Sequence, residues 1–442
     1  MRSLTKFLRP GLHRSIVIIA APMILSNLTT PLMGLVDTAV LGHLSSPLYL
    51  AGASVSALFI SQLYWLCGFL RMTATGLSAE ALGQGSQLNA TRSLVQGLAL
   101  SAGIAMLILV VQKVLLQLVL YFADAEAQSA LVISDYFYTR IWGAPAALAN
   151  MVLIGWLIGQ QRAKVVMWIQ IAANLLNALL SVVLVVYFGL DVVGVALATV
   201  VAEYLIFALS LRACMARTGG FTAQLSWLRF NQLKQLLSLN GHSFVRNLSL
   251  QLCLAFLVFQ GMRFGQTSAA INAIFLQFFS LIALGLDGIA YSAEALVGEQ
   301  KGRRNPHGIV SVTLQCTLWS VALALAYSAV FYWQGPAIIA LLTSHQTLQI
   351  SAQAYLPLIA LLPLVAHWCF LFDGVFVGLI RAKAMQNSML FSAFAVYFPA
   401  WWLFSGWQNQ GLWFALLAFL LARGVSLGAY FTYLYQRRRL VA

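Results

Sequence analysis

Asp37 is a carboxylate set inside an otherwise apolar run, roughly residues 15–40, that is long enough to cross a bilayer. An ionisable side chain there costs at least about 2.5 kcal/mol on insertion scales, so a functional role is the default reading. The chemistry it offers is the uptake and release of a proton. Helical spacing gives the acid company: Ser26, Thr30, Met33 and Asp37 fall at i, i+4, i+7 and i+11 and share one face. Pro22, upstream on the same run, removes a backbone hydrogen bond and makes a candidate hinge.

Other runs carry matching groups. Gln170, Asn174, Asn177 and Ser181 repeat the same stripe, Thr199 and Glu203 lie one turn apart, and Tyr138 and Asn150 share another run. Unsatisfied polar groups in lipid cost several kcal/mol each, so the cheapest arrangement turns these faces toward one another as a polar pocket. For the amides, simple interhelical hydrogen bonding is an equal alternative. Further along, Asp287, Tyr291 and Glu294 share a face with Ser280, and Asp373 opens the stretch DGVFVGLIRAK. Arg246 and Arg423 are candidate counter-ions, so these acids form either ion pairs or a second coupling site.

These residues need long apolar elements to hold them, and composition supplies them. Of 442 residues 61% are hydrophobic and 8% charged, against roughly 25% charged in soluble domains. The chain reads as an all-α polytopic membrane protein. Twelve segments are long enough to cross, at about 15–40, 48–70, 93–120, 136–160, 165–188, 192–213, 237–262, 267–297, 308–333, 351–380, 384–404 and 411–435. Most of the 25 Lys and Arg fall in alternate connections, from Arg2, Lys6, Arg9 and Arg14 through Arg71 and Arg92 to Arg437–Arg439. The positive-inside rule then puts both termini in the cytoplasm. The net charge of +14 reports topology, and a nucleic-acid partner is not expected.

Several other classes fall away. The basic N-terminus precedes an apolar run too long for a signal peptide, which makes it the first span. The five cysteines show no CxxC spacing, the six histidines form no HxxxH or HExxH pair, and no Walker-type loop is present. A metal site and an enzyme are not expected, and the energy for any transport must come from an ion gradient or a partner.

Internal repetition divides the spans into bundles of six at 1–213 and 237–442, with a cytoplasmic linker at 214–236. SAEAL at Ser78–Leu82 recurs at Ser292–Leu296, an offset of 214. Gly155, Gly159 and Arg162–Lys164 recur as Gly374, Gly378 and Arg381–Lys383, an offset of 219, and Asn27–Thr29 aligns with Asn247–Ser249 at 220. Two pseudo-symmetric bundles around a central cleft suit alternating access. Asp37 aligns with Leu257 at 220, so the halves are chemically unequal and the first is assigned the coupling.

Twelve spans in two halves, Pro22 and Asp37 on the first, GLVDTAVLGHL, and the NxxN of Asn174 and Asn177 resemble the multidrug and toxic compound extrusion (MATE) family. APAALANMVLIGWLIG and RAKAMQNSM are similar to its DinF-like branch, and the resemblance covers essentially the whole chain. It implies a cation-coupled antiporter that expels lipophilic, mostly cationic compounds. For that branch it implies the proton as coupling ion, Asp37 as carrier, and Tyr138, Asn150, Asn174, Asn177 and Thr199 as its hydrogen-bonding shell. Relatives often place an aspartate four residues beyond the second Asn; here Ser181 stands there, and Glu203 is the candidate replacement.

The expected protein is a monomeric, proton-coupled efflux antiporter of the bacterial inner membrane, in contact with membrane lipid and needing no cofactor. Sodium coupling and a lipid-linked precursor flippase are the alternatives. A flippase for an anionic pyrophosphate lipid would want several cations in its cleft, and Arg140, Arg246 and Arg423 are few.

Overall fold

The computed structural model describes residues 10–44, 46–220 and 224–441, and among them the chain is almost wholly helical, with no strand. Packing divides it into two compact units, Leu25–Leu237, and Ser238–Ala442 together with the chain up to Ile24. Helix α1 (Pro10–Gly42) therefore belongs to both. The first unit continues with α2 (Pro47–Leu66), α3 (Phe69–Gly83), α4 (Gln87–Val110), α5 (Gln112–Ala123), α6 (Ala127–Arg140), α7 (Ala144–Gly159), α8 (Ala163–Val182) and α9 (Asp191–Thr218). The second is built from α10 (Phe230–Arg263), α11 (Gln266–Gly302), α12 (Pro306–Leu342), α13 (Gln346–Gln353), α14 (Leu356–Gly378), α15 (Ala382–Leu390), α16 (Phe398–Leu403) and α17 (Gln408–Gln436).

Eleven helices among the described residues are long and apolar enough to cross a membrane. The remaining expected span, at 384–404, is α15 and α16 joined by a wide π turn over Phe391–Tyr397, so no single regular helix covers it. Three local expectations are corrected. The second run does not stop at residue 70. It passes a bend at Cys67 and Gly68 and continues to Gly83, which puts Arg71 inside a helix and not in a connection. The third run breaks at Val111, and the linker is short because α9 lasts to Thr218 and α10 begins at Phe230.

The packing units differ from the division at 213 and 237 for identifiable reasons. The linker is tied to the first unit, where Gln96 Nε2 donates to the Trp227 carbonyl at 2.9 Å and Arg92 donates to Gln232. The start of α1 is tied to the second, where Ser292 Oγ donates to the Ile16 carbonyl at 3.0 Å.

The repeat is visible atom by atom at an offset of 219. A Cβ added at Gly155 would stand 2.4 Å from the Arg71 carbonyl, and one at Gly374 would stand 2.5 Å from that of Ala290. Gly159 meets Thr75 and Gly378 meets Glu294 in the same way. Small residues four apart let backbones touch, which packs helices where no hydrophobic driving force separates helix from lipid. The following turns agree. Gly85 and Arg304 are both left-handed, at φ 65° and 53°. Next to them Ser86 accepts from Asn89 N as a helix cap, and Asn305 accepts from Gly308 N.

The SAEAL match, at 214, is therefore out of register and is not an equivalence. Five residues turn a helix by about 140° beyond a full revolution. Ser78 accordingly donates to the Trp156 carbonyl in one unit, while Ser292 reaches the Ile16 and Gly288 carbonyls in the other.

Candidate functional site

Within the first unit, α1 and α8 are joined by a ladder of side chains. Ser26 Oγ donates to Gln170 Oε1, Asn174 Nδ2 donates to Thr29 Oγ1 at 2.7 Å, and Ser181 Oγ donates to Asp37 Oδ1 at 2.9 Å. The paired positions keep an almost constant separation in sequence, so the helices run parallel along the ladder. From Ser26 to Asp37 it extends about 16 Å. The middle rung uses Thr29, which the stripe of Ser26, Thr30 and Asp37 passes by; the Thr30 side chain lies outside the described residues. Thr29 sits three residues after Ser26 and faces α8 almost as well as a residue four away.

Asp37 is partly buried and stands where the polar ladder ends. Beyond it lies a buried apolar cluster of Leu41, Ala53, Val132, Tyr136, Val185, Val192, Val195 and Ala196. Immediately after Ser181, α8 widens into a π turn over Val183–Tyr187, a distortion common at functional sites. Neither amide of the NxxN pair bonds the acid: Asn174 is committed to Thr29, and Asn177 Nδ2 donates to Thr199 Oγ1 at 3.0 Å. Thr199 in turn donates to the Val195 carbonyl, while Asn177 Oδ1 is buried without a partner. The group that holds Asp37 is Ser181, fully buried.

Glu203 does not join this ladder. Arg140, at the end of α6, grips it through two hydrogen bonds of 2.8 and 2.6 Å, with side chains only 11% and 15% exposed. Asn150 Nδ2 donates to the Glu203 backbone carbonyl at 2.8 Å, and the Arg140 guanidinium lies over the Tyr64 ring at 5.4 Å. The Arg140 charge also acts on Asp37. Tyr138 is 40% exposed, its ring edge against Phe137, whereas Tyr136 two residues earlier is buried within reach of the Asp37 charge. Tyr136 packs in the apolar cluster beyond Asp37 and Arg140 is paired with Glu203, while Tyr138 stands outside the hydrogen-bonded group.

In the second unit Asp373 on α14 accepts from both Arg246 on α10 and Arg423 on α17, at 2.5 Å each. One carboxylate staples three helices. Asp287 and Glu294 both lie on α11, Glu294 fully buried. Among the described residues no group of three His, Cys, Asp or Glu side chains could hold a metal ion.

Two helical units that share a packing register, with membrane-crossing helices and, inside the first unit, an acid held by a hydroxyl, define a polytopic membrane protein of the transporter class. The MatE family model matches residues 22–183 and 243–402, one segment in each half of the repeat, and the chain belongs to that family. It is similar to DNA damage-inducible protein F of Escherichia coli, 40% identical over 415 residues that cover 93% of this chain and 90% of the relative. The fold is that of the Vibrio cholerae MATE transporter VcmN in its bent form, at a TM-score of 0.87, 18% identity and 98% coverage of both chains. An outward-facing multidrug resistance MATE family transporter of the MOP superfamily matches equally well, at 0.87, 17% identity and 98% of both chains. The protein is accordingly a multi-pass multidrug and toxic compound efflux transporter, and not an enzyme.

Proposed function

We propose that the chain is a proton-coupled antiporter of the bacterial inner membrane, both termini cytoplasmic, expelling lipophilic and mostly cationic compounds with Asp37 as the proton carrier. The observation that carries the reading is the Ser181–Asp37 contact at 2.9 Å. A hydroxyl both donates and accepts, so Ser181 can donate to the carboxylate and, after rotating, accept from the protonated acid. The amides of Asn174 and Asn177 could also donate or accept, but here they are engaged elsewhere. Arg140, the cation near Asp37, is already matched by Glu203.

The driving force can be bounded. One pH unit contributes about 1.4 kcal/mol per proton, roughly tenfold in substrate ratio. Exchange of one proton for one monovalent cation moves no net charge, so the membrane potential would add about 2.3 kcal/mol per 100 mV only if a second proton moved. Asp287 and Asp373 are the acids in the second unit nominated for it. The Asp373 carboxylate already bridges two arginines, which favours the Asp37 site as the single carrier.

Asp37→Asn keeps size and hydrogen bonding but does not titrate. In proteoliposomes with separately imposed pH, sodium and voltage gradients, this variant should fold and bind substrate, and its efflux should no longer respond to the pH gradient. Proton-driven efflux at the unaltered rate would remove Asp37 from the mechanism, and a response to sodium alone would replace the coupling ion.

A further inference from the structure

In the unit that contains Ser238–Ala442, a cavity of about 760 Å³ opens where α10 begins, α14 gives way to α15, and α17 nears its end. Its lining is polar and cationic at Arg381 and Lys383 around the start of α15, His242 on α10, and Asn387; no carboxylate is among its described lining residues. The lining also includes the aromatic rings of Phe391 and Tyr430, which are 55% and 36% exposed. The cavity thus combines cations with exposed apolar rings.

Part of this lining is held in place. Arg381 Nη2 donates to the Arg439 carbonyl at 2.7 Å, which brings the Arg437–Arg439 run to the same end of the unit. His242 is hydrogen-bonded to Gln386 on α15. The start of α15 follows Ile380 in a left-handed conformation, φ 56°, and no side chain caps it. First-turn amides without a side-chain cap carry partial positive charge and suit an anion.

A lining with two cations, Arg381 held and Lys383 exposed, and a helix start repels cationic compounds, and its apolar rings offer nothing to a small inorganic ion. Cations and apolar rings together suit an amphiphilic anion. We propose that this cavity binds the phosphate headgroup of an acidic membrane phospholipid, with the acyl chains running along Phe391 and Tyr430. Basic pockets among transmembrane helices recognise acidic headgroups through this combination of charge and shape. The site is separate from Asp37 and does not depend on the coupling ion.

The test is native mass spectrometry of the full-length protein in mild detergent, titrated with phosphatidylglycerol, with phosphatidylcholine, and with phosphatidylglycerol in competition with inorganic phosphate. Phosphatidylglycerol should be retained about tenfold or more over phosphatidylcholine, as expected for two cations facing one phosphate. The Arg381→Gln, Lys383→Gln pair should lose that preference, and the charge-conserving Arg381→Lys, Lys383→Arg pair should keep it. Thermal unfolding of each variant separates loss of binding from loss of fold. Lys383→Gln alone, at an exposed position, gives a readout should the double variant not fold. Equal retention of the two lipids, or an undiminished preference in a folded glutamine variant, overturns the proposal. Complete displacement by inorganic phosphate at equal concentration overturns the lipid as occupant and assigns the site to free phosphate.

Discussion

Ser181 Oγ stands 2.9 Å from Asp37 Oδ1 and is the last rung joining α8 to α1 before the apolar cluster at Leu41 begins. A hydrogen bond to a charged group is worth about 1.5–3 kcal/mol. Ser181→Ala should therefore leave the fold intact and lower proton-driven efflux about tenfold or more, while Ser181→Thr, which keeps the hydroxyl, should retain most of it. Efflux and its pH profile in proteoliposomes are the measurement. An unaltered profile in Ser181→Ala would mean that the acid draws its support from elsewhere.

The Arg140–Glu203 pair predicts a stability signature. Both side chains are largely buried and joined by two hydrogen bonds. Removing one partner leaves an uncompensated buried charge, at a cost of about 3–5 kcal/mol, whereas replacing both with apolar residues of similar volume is often neutral. Glu203→Gln should lower the thermal midpoint in detergent clearly, and Arg140→Met with Glu203→Met should recover most of the loss. If Glu203→Gln melts like the unaltered protein, the pair contributes little to the fold.

These two contacts show what could be read from the chain and what could not. Ser26, Asn174, Ser181 and Asp37 meet because each helix carries its polar groups on one 3.6-residue face, and that period is written in the sequence. Which rung a given residue occupies is set by the relative shift and rotation of two helices, and spacing within each one is blind to it. Thr29, outside the expected stripe, thus makes the middle rung, and Asn177 turns to Thr199 and not to Asp37. The partner of Glu203 lies across a different pair of helices, on α6, so no local pattern announced Arg140 as its counter-ion. The repeat was legible where glycines forced backbones together, at Gly155 and Gly374. It was misleading at SAEAL, whose similarity of letters carries no shared contact.

The orientation assigned from the basic connections rests on charge alone and has its own test. The five native cysteines are buried and can be replaced. A Cβ at Gly406 meets nothing within 4 Å, and Gln224 is exposed. With both termini cytoplasmic, Gly406→Cys should react with impermeant thiol reagents from the periplasmic side of intact cells, and Gln224→Cys only after permeabilisation. The reverse labelling would invert every direction of transport proposed for the molecule.

Pro22 makes the last prediction. Helix α1 runs without a break from Pro10 to Gly42 through this proline, yet it changes packing partners directly after it, with residues up to Ile24 in one unit and those from Leu25 in the other. A proline inside a helix lacks the N–H that would bond the carbonyl four residues back, here that of Ile18, and its ring presses on that carbonyl, a penalty of about 3 kcal/mol or more in an ordinary helix. α1 also carries Pro31, but Pro22 stands next to the point where α1 passes between two packing environments, and a weakened helix has a mechanical use there: it can bend. Pro22→Ala restores the donor and should raise the thermal midpoint. It should also slow efflux, because a stiffer α1 favours one of the two shapes that a transport cycle needs. Binding of substrate to the detergent-purified variant should be retained, which separates a lost movement from a lost site. Faster or unchanged efflux in a stabilised Pro22→Ala protein would show that α1 does not bend at Pro22 during transport.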